Sequence, residues 1–207
     1  MLSFRELCLA ATALCFVCAI PAEGRFRGRT MALPDPQLVF EPKPDHSGYS
    51  GRGRGHSVQI HRGEVVFGLH HGNSKGGTDS SAVRMRFVNG APSTPAVEDR
   101  RASYSNYFVG ADRSRWRERV PQYDRVIQRQ VYPGIDVVYY GTSVGAHLEF
   151  DFVVAPGADP SRIAMRWENA GGVRVNQEGH LVVSTAAGDL VQHAPKVYQS
   201  REGQRTL

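Results

Sequence analysis

Apolar and polar residues alternate along much of the chain from residue 57 onward. The apolar members of the first three runs are Val58 and Ile60, then Val65, Phe67 and Leu69, then Val83, Met85 and Phe87. Successive side chains of a β-strand point to opposite faces, so a period of two indicates a strand that is buried on one face. The pattern therefore predicts three strands joined as hairpins.

The second half of the chain shows the same period more clearly. Tyr132-Pro133-Gly134 has the proline and glycine that a type II turn requires, and a strand with Ile135, Val137 and Tyr139 on one face follows it. The clearest segment then places Leu148, Phe150, Phe152 and Val154 on one face and His147, Glu149 and Asp151 on the other. We expect the first face to join the core and the second to meet water.

Short apolar runs separated by glycine turns continue to the end of the chain, about every ten residues. This spacing is typical of antiparallel all-β proteins. The sequence predicts an all-β, antiparallel, sandwich-like domain with many short strands and hairpins. It predicts at most one short helical turn, at residues 112–116, where Asp112 is the capping residue and Trp116 packs beneath.

The chain divides into three regions by composition. Residues 1–22 contain a charged start, an apolar run over residues 7–20, and the small residue Ala22, which together predict a signal peptide cleaved after Ala22. Residues 23–55 are rich in Arg, Gly and Pro and predict a flexible leader. Residues 56–207 form the predicted β-rich domain, with possible sub-lobes at 56–100 and 101–207 joined by the polar stretch 90–101.

Cysteine and charge narrow the classes of function. All three cysteines, Cys8, Cys15 and Cys18, lie within the predicted signal peptide. The exported chain would then have no disulfide, no thiolate nucleophile and no cysteine-ligated metal. The formal net charge of +5 comes mainly from arginine and favours acidic partners only weakly. No later apolar run is long enough to span a membrane after cleavage, and no motif indicates a specific nucleic acid partner.

Several sequence strings resemble a known family. They are SNYFVG at 105–110, Trp116, VYPGIDVVYYG at 131–141, LEFDFVVAPGADP at 148–160, GHL at 179–181 and PKVYQ at 195–199. Together they resemble the N-terminal domain of bacterial surface proteins that carry SBBP-type β-propeller repeats. The resemblance implies an exported β-rich domain of unassigned activity that precedes adhesive repeats. Since the sequence ends at Leu207 without repeats, we expect it to be a fragment or a truncated reading frame.

The polar face of the clearest strand is the first candidate site. His147, Glu149 and Asp151 are spaced about 7 Å apart along a strand. That spacing suits an inverting glycosidase pair or a set of metal ligands. Carboxylates on the polar face of an alternating strand are more often simply solvated, so we favour a surface without chemistry.

A second group of candidates surrounds a glycine-rich loop. His70 and His71 precede the loop and Asp79 follows it, a set that suits a metal or a base. Adjacent histidines on one strand face opposite sides, so the pair is expected to have no joint role. The loop glycines Gly72, Gly76 and Gly77 lack the order of a phosphate loop, and no serine stands in a nucleophile elbow.

Arginines and aromatic residues supply the remaining candidates. The first cluster is Arg113, Arg115, Arg117 and Arg119, and the leader adds Arg25, Arg27, Arg29, Arg52 and Arg54. These arginines suit phosphate, sulfated glycan or an anionic envelope, although the cluster is not expected to share one face. A sugar platform would draw on Tyr107, Tyr132, Tyr139, Tyr140 and Trp167, for which we favour packing in the core.

The sequence therefore favours a non-catalytic, exported structural or interaction module, secreted or at the cell surface. Its expected partners are downstream repeat domains and a glycan or other envelope polymer. No catalytic residue, cofactor or metal is assigned. Two alternatives stay open: a carbohydrate-active hydrolase that uses Glu149 or Asp151, and a calcium-stabilised module that uses Asp136, Glu149 and Asp151.

Overall fold

A computed structural model describes residues 37–72, 77–142 and 146–201, together with the backbone of Thr12–Ala19 and Gln204–Thr206. The first eight strands are β1 Thr12–Ala19, β2 Phe40–Pro42, β3 Gly48–Gly53, β4 His56–His61, β5 Glu64–Gly72, β6 Thr78–Phe87, β7 Ala96–Tyr107 and β8 Arg117–Tyr132. The remaining strands are β9 Ile135–Gly141, β10 Leu148–Val154, β11 Met165–Glu168, β12 Gly172–Val175, β13 Leu181–Thr185, β14 Gly188–Gln192, β15 Lys196–Arg201 and β16 Gln204–Thr206.

The strands pair antiparallel, mostly with their neighbours in the chain. One run of hairpins comprises β2 to β6, a second comprises β7 to β10, and a third comprises β12 to β14. The first two runs join where β2 pairs with β8, through Phe40 opposite Tyr123. At the far edge β6 pairs with β11. The predicted antiparallel all-β class is confirmed.

The sheet curls on itself and encloses a single core. Six strands lie between β6 and β10 in the sheet order, yet the rings of Phe87 on β6 and Phe152 on β10 pack edge to face with centroids 5.5 Å apart. The largest fully buried side chains include Phe40, Ile60, Met85, Tyr139, Phe150 and Phe152. The strong right-handed twist of antiparallel strands allows distant strands of one sheet to meet in this way.

The alternation seen in the sequence is confirmed in β4, β5, β6, β9 and β10. All members of the four predicted apolar rows from residue 58 to residue 139 are buried, and so are Leu148, Phe150, Phe152 and Val154. The predicted turn before β9 is also confirmed, because Gly134 has a φ of 73°. Glycine adopts that conformation without the steric cost that a side chain with a Cβ incurs.

Two predictions made from composition are wrong. Residues 37–55, predicted as part of the flexible leader, contain β2 and β3 and bury Leu38 and Phe40. The stretch 90–101, predicted as a surface linker between sub-lobes, enters β7 at Ala96, and that strand runs on through residues 100 and 101. The described residues also contain two 3-10 turns, Arg113–Arg115 within the predicted turn at 112–116 and Pro160–Arg162, where the sequence predicted at most one.

The predicted signal peptide lies mostly outside the described residues. Within it, the structure describes only the backbone of Thr12–Ala19, as β1 antiparallel to β10. Residues 23–36 of the predicted leader also lie outside the described part. Cleavage after Ala22 therefore stays a prediction.

Candidate functional site

The polar face of β10 is partly buried rather than wet. Asp151 is only 5% exposed, because Tyr198 of β15 covers it. The hydroxyl of Tyr198 donates to Oδ2 of Asp151 at 2.6 Å, and the hydroxyl of Tyr140 donates to Oδ1 at 3.0 Å. Both carboxylate oxygens thus accept hydrogen bonds from within the protein. The prediction of a solvated Asp151 is wrong, and the carboxylate links β9, β10 and β15 instead.

His147 and Glu149, the two other members of this predicted polar face, are half-buried. Glu149 lies opposite Tyr140 in the register of β9 and β10. The ring of His147 stacks over that of His56, with centroids 6.2 Å apart and planes 12° apart. His56 is itself buried, and its Nε2 lies 2.9 Å from the carbonyl oxygen of Ala146. His147 thus packs against a histidine of β4 and does not stand in open solvent.

The described residues contain no metal cluster. Within 37–72, 77–142 and 146–201, no three His, Cys, Asp or Glu side chains form a group that holds a metal ion. Asp136, part of the proposed calcium set, accepts from the backbone N–H of Gln130 at 2.7 Å and pairs with Arg129 at 3.6 Å. Asp136, Glu149 and Asp151 are therefore not assembled as ligands.

The histidines before the glycine loop are exposed at the end of the β5–β6 hairpin. His71 lies opposite Asp79, and His70 lies opposite Ser80. Gly76 lies outside the described residues. Because adjacent positions of a strand face opposite sides, His70 and His71 do not converge, as predicted.

The predicted sugar-platform aromatics are dispersed. Tyr139 is fully buried, and Tyr132 donates to the carbonyls of Val88 and Ala164 at 3.1 and 3.0 Å. Burial raises the pKa of both hydroxyls, that of Tyr139 strongly. Trp167 packs on Phe67 with ring centroids 5.5 Å apart. These three aromatic residues are structural, as predicted.

The arginine cluster lies at the end of the β7–β8 hairpin, where it meets aromatic rings. The guanidinium of Arg113 lies 5.2 Å from the ring centroid of Trp116. Arg117 covers Tyr107 at 5.5 Å, and Arg119 covers Tyr104 at 5.0 Å. Such contacts are attractive because a cation meets the negative face of the ring.

The members of this cluster point in different directions. Arg117 turns toward β2 and donates to the carbonyl of Pro42 at 2.9 Å, while Arg113 and Arg119 are exposed. The register between β7 and β8 shifts twice near this end, between Arg100 and Tyr104 and between Ser105 and Tyr107. The expectation that the arginines do not share one face agrees with these positions.

A cleft of about 510 Å³ lies beside the turn between β2 and β3. Its lining residues are Pro42, His46, Ser47, Gly48, Tyr49, Arg62, Thr94 and Pro95. Sequence reasoning missed it because most of its wall belongs to the predicted leader. Tyr49 and Arg62 belong to this lining, and Nε of Arg62 donates to the carbonyl oxygen of Pro92 at 2.7 Å.

A pair of histidines that the sequence did not reveal lies between the end of β14 and the turn before β13. Nδ1 of His193 lies 3.2 Å from Nε2 of His180, and the backbone N–H of Ala194 donates to Nδ1 of His180 at 3.2 Å. Neutral His180 therefore carries its proton on Nε2 and donates it to His193. Burial, followed by the nearby His180 and Lys196, lowers the pKa of His193.

Comparison with known proteins gives one match. A family described as a domain of unknown function (DUF7948) matches residues 37–207, a range that begins at the first residues described before β2. No curated protein and no solved structure matches the chain. In the described part of the chain, no helix is long and apolar enough to cross a membrane.

Proposed function

Because the chain belongs to the DUF7948 family, whose description names no activity, we propose that it is a non-catalytic structural or interaction module. The observation that carries this proposal is the state of Asp151. A catalytic carboxylate must reach its substrate, whereas Asp151 is buried and both of its oxygens accept hydrogen bonds from tyrosines. The same contacts make it a structural link between three strands.

Export to the cell surface or the medium is part of the proposal. The apolar run at residues 7–20 followed by Ala22 supports a cleaved signal peptide. The resemblance to the N-terminal domains of SBBP repeat proteins supports a place beside adhesive repeats. Its partners are then downstream repeat domains and an envelope polymer such as a glycan.

The test of export uses the chain with its own N-terminus, expressed in a bacterial host. Mass spectrometry of the secreted or envelope fraction is expected to find a protein that begins at Glu23. A protein that keeps Met1 and stays in the cytoplasm would overturn this part of the proposal.

The test of catalysis measures release of reducing sugar from a panel of polysaccharides. The proposal expects no release above the buffer level. The competing function, a carbohydrate-active hydrolase, predicts release that Glu149→Gln or Asp151→Asn abolishes. Glu178→Gln is the matched control because Glu178 is an exposed acid in the turn before β13. Activity that is lost in the first two variants and kept in the control would overturn the proposal.

A further inference from the structure

The connection between β7 and β8 exposes apolar side chains. This segment, residues 108–116, is called the hairpin apex below. Phe108 is 57% exposed and Val109 is 71% exposed, and both lie beyond the last residue of β7. Burial of these side chains against a partner would be favourable, because it removes apolar surface from contact with water. Their exposure at the end of a hairpin indicates a site that contacts the surface of a partner.

The hairpin apex is held in one conformation by its own contacts. The ring of Phe108 packs edge to face on that of Trp116, with centroids 5.0 Å apart. The indole N–H of Trp116 donates to the carbonyl of Gly110 at 3.1 Å, and Asp112 caps the 3-10 turn through the N–H of Ser114 at 3.0 Å. A preformed surface loses little conformational entropy when it binds.

The hairpin apex and the residues that flank it carry an excess of positive charge. From Tyr104 to Arg119 the sequence has four arginines, at 113, 115, 117 and 119, against two carboxylates, at 112 and 118, which leaves a formal excess of two positive charges. Arg113 and Arg115 are exposed within the hairpin apex itself. The carboxylate of Asp112 accepts hydrogen bonds from the N–H and hydroxyl of Ser114, and these lower its pKa, so its negative charge is part of that sum.

We propose that the hairpin apex binds the surface of a bilayer that contains anionic phospholipid. Phe108 and Val109 enter the boundary between headgroups and acyl chains, Trp116 lies at the headgroup level, and Arg113 and Arg115 pair with lipid phosphates. Interfacial binding of this kind combines buried apolar area with attraction to anionic lipid. Tryptophan side chains are enriched at this depth of a membrane.

A lipid surface fits the hairpin apex better than a sugar polymer does. Aromatic rings stack on sugars, but the most exposed apolar side chain here is the aliphatic Val109, which lacks both a ring face and a hydrogen-bonding group. The indole N–H of Trp116 is already used by Gly110 and is not offered to a sugar hydroxyl. An acyl boundary needs neither group.

This inference rests on the proposal of an interaction module at the envelope and names its partner. The proposed function and this inference can fail independently, because the polysaccharide assay tests for catalysis and the vesicle assay below tests for the lipid partner. If the protein neither binds vesicles nor hydrolyses polysaccharide, the proposal of a non-catalytic module stands and the proposal of a lipid partner is wrong.

The test measures co-sedimentation of the purified exported protein, which begins at Glu23, with vesicles of phosphatidylcholine containing 30% phosphatidylglycerol, and with vesicles of phosphatidylcholine alone. We expect binding to the anionic vesicles that weakens as salt rises. Phe108→Ser with Val109→Ser is expected to lower the affinity about tenfold. Arg113→Gln with Arg115→Gln is expected to lower it about 25-fold, which is about fivefold for each arginine.

Matched controls come from other exposed positions. Val173→Ser with Val175→Ser removes two exposed valines from β12, and Arg162→Gln with Arg166→Gln removes two exposed arginines from the far edge. Both controls are expected to bind like the unchanged chain. Circular dichroism checks that each variant is folded. The fluorescence of Trp116 is expected to shift to the blue on binding, and Trp116→Phe is expected to remove that shift.

Three results would overturn the lipid surface as the partner. The first is no binding to anionic vesicles, and the second is equal binding by the Phe108 and Val109 variant. The third is binding to a soluble sulfated polysaccharide that depends on Arg113 and Arg115 but not on Phe108 and Val109, which would assign the hairpin apex to an anionic polymer.

Discussion

The hydroxyl of Tyr139 on β9 donates a hydrogen bond of 2.7 Å to the side-chain carbonyl of Gln128 on β8, inside the core. The amide nitrogen of Gln128 donates in turn to the carbonyls of His61 and Ser93, both at 2.9 Å. All the polar atoms of this buried amide are therefore satisfied. One side chain links β8 and β9 to the end of β4 and to the segment before β7, so its removal leaves three partners unpaired.

Gln128→Leu is expected to lower the free energy of unfolding by about 3 kcal/mol, since each orphaned buried polar group costs about 1–3 kcal/mol. Tyr139→Phe removes only one donor and is expected to cost about 1 kcal/mol. Urea denaturation of both variants and of the double variant measures these effects, and the double loss should be smaller than the sum. A loss below about 0.5 kcal/mol for Gln128→Leu would contradict this role.

Tyr198→Phe is expected to destabilise the protein by about 2 kcal/mol, because it removes a hydrogen bond to a buried carboxylate. Tyr140→Phe removes the partner of the other oxygen of Asp151 and should cost less, since its bond is longer. Thermal unfolding of the two variants makes the comparison. Equal stability of Tyr198→Phe and the unchanged chain would show that Asp151 does not depend on β15.

The histidine pair makes stability depend on pH. The pKa of His193 is lowered in the folded state, so at pH values between that pKa and about 6.5 the unfolded chain binds more protons than the folded chain. The free energy of unfolding therefore falls as the pH drops below about 6.5 and levels off below the folded pKa. Protonation also places an N–H of one ring against an N–H of its partner.

His193→Asn is expected to flatten this pH dependence between about pH 7.5 and 5. The measurement is the urea midpoint at several pH values. His46→Asn is the matched control, because His46 is exposed in a turn and asparagine tolerates its positive φ of 56°. An unchanged slope in His193→Asn, or the same flattening in the control, would assign the pH dependence to other groups.

Gly141→Ala is expected to cost about 2 kcal/mol, as overpacking of a close contact usually does. A Cβ at this position would lie 2.2 Å from the carbonyl oxygen of Leu38. Gly172→Ala is the control, since a Cβ there meets nothing within 4 Å. Urea denaturation compares the two, and limited proteolysis should cut residues 37–55 faster in Gly141→Ala. No difference between the variants would mean that the chain near Leu38 does not pack on β9.

The sequence predicted strands wherever one face of a strand is continuously buried. The apolar rows of β9 and β10, with Tyr139 and Phe150, recur at every second position and are buried throughout. The prediction from composition was wrong for β3, whose sequence GYSGRG is typical of a flexible segment. In the fold, a Cβ on Gly48 would lie 2.0 Å from the carbonyl of Ile60, so that glycine permits a close approach of strands.

The failures at the candidate site have a different physical reason. Among the strands that the structure describes, β7 pairs with β8 alone, and it is largely exposed, so neither of its faces carries an apolar row that could have indicated a strand. Asp151 is covered by Tyr198, 47 residues later in the chain, and period alone cannot foresee that contact. The two histidines of the pair are 13 residues apart and meet only once β13 and β14 have paired.

The junction at Phe40 is where we expect the curled sheet to open first. Each of the two larger runs of hairpins is built from strands that follow one another in the chain. Each run can therefore form through local contacts, at a small cost in loop-closure entropy. The three-residue β2 joins them through a single registered pair with β8. We expect the backbone amides of β2 and of the part of β8 opposite it to exchange with deuterium sooner than those inside either run, because local unfolding of the sheet begins there.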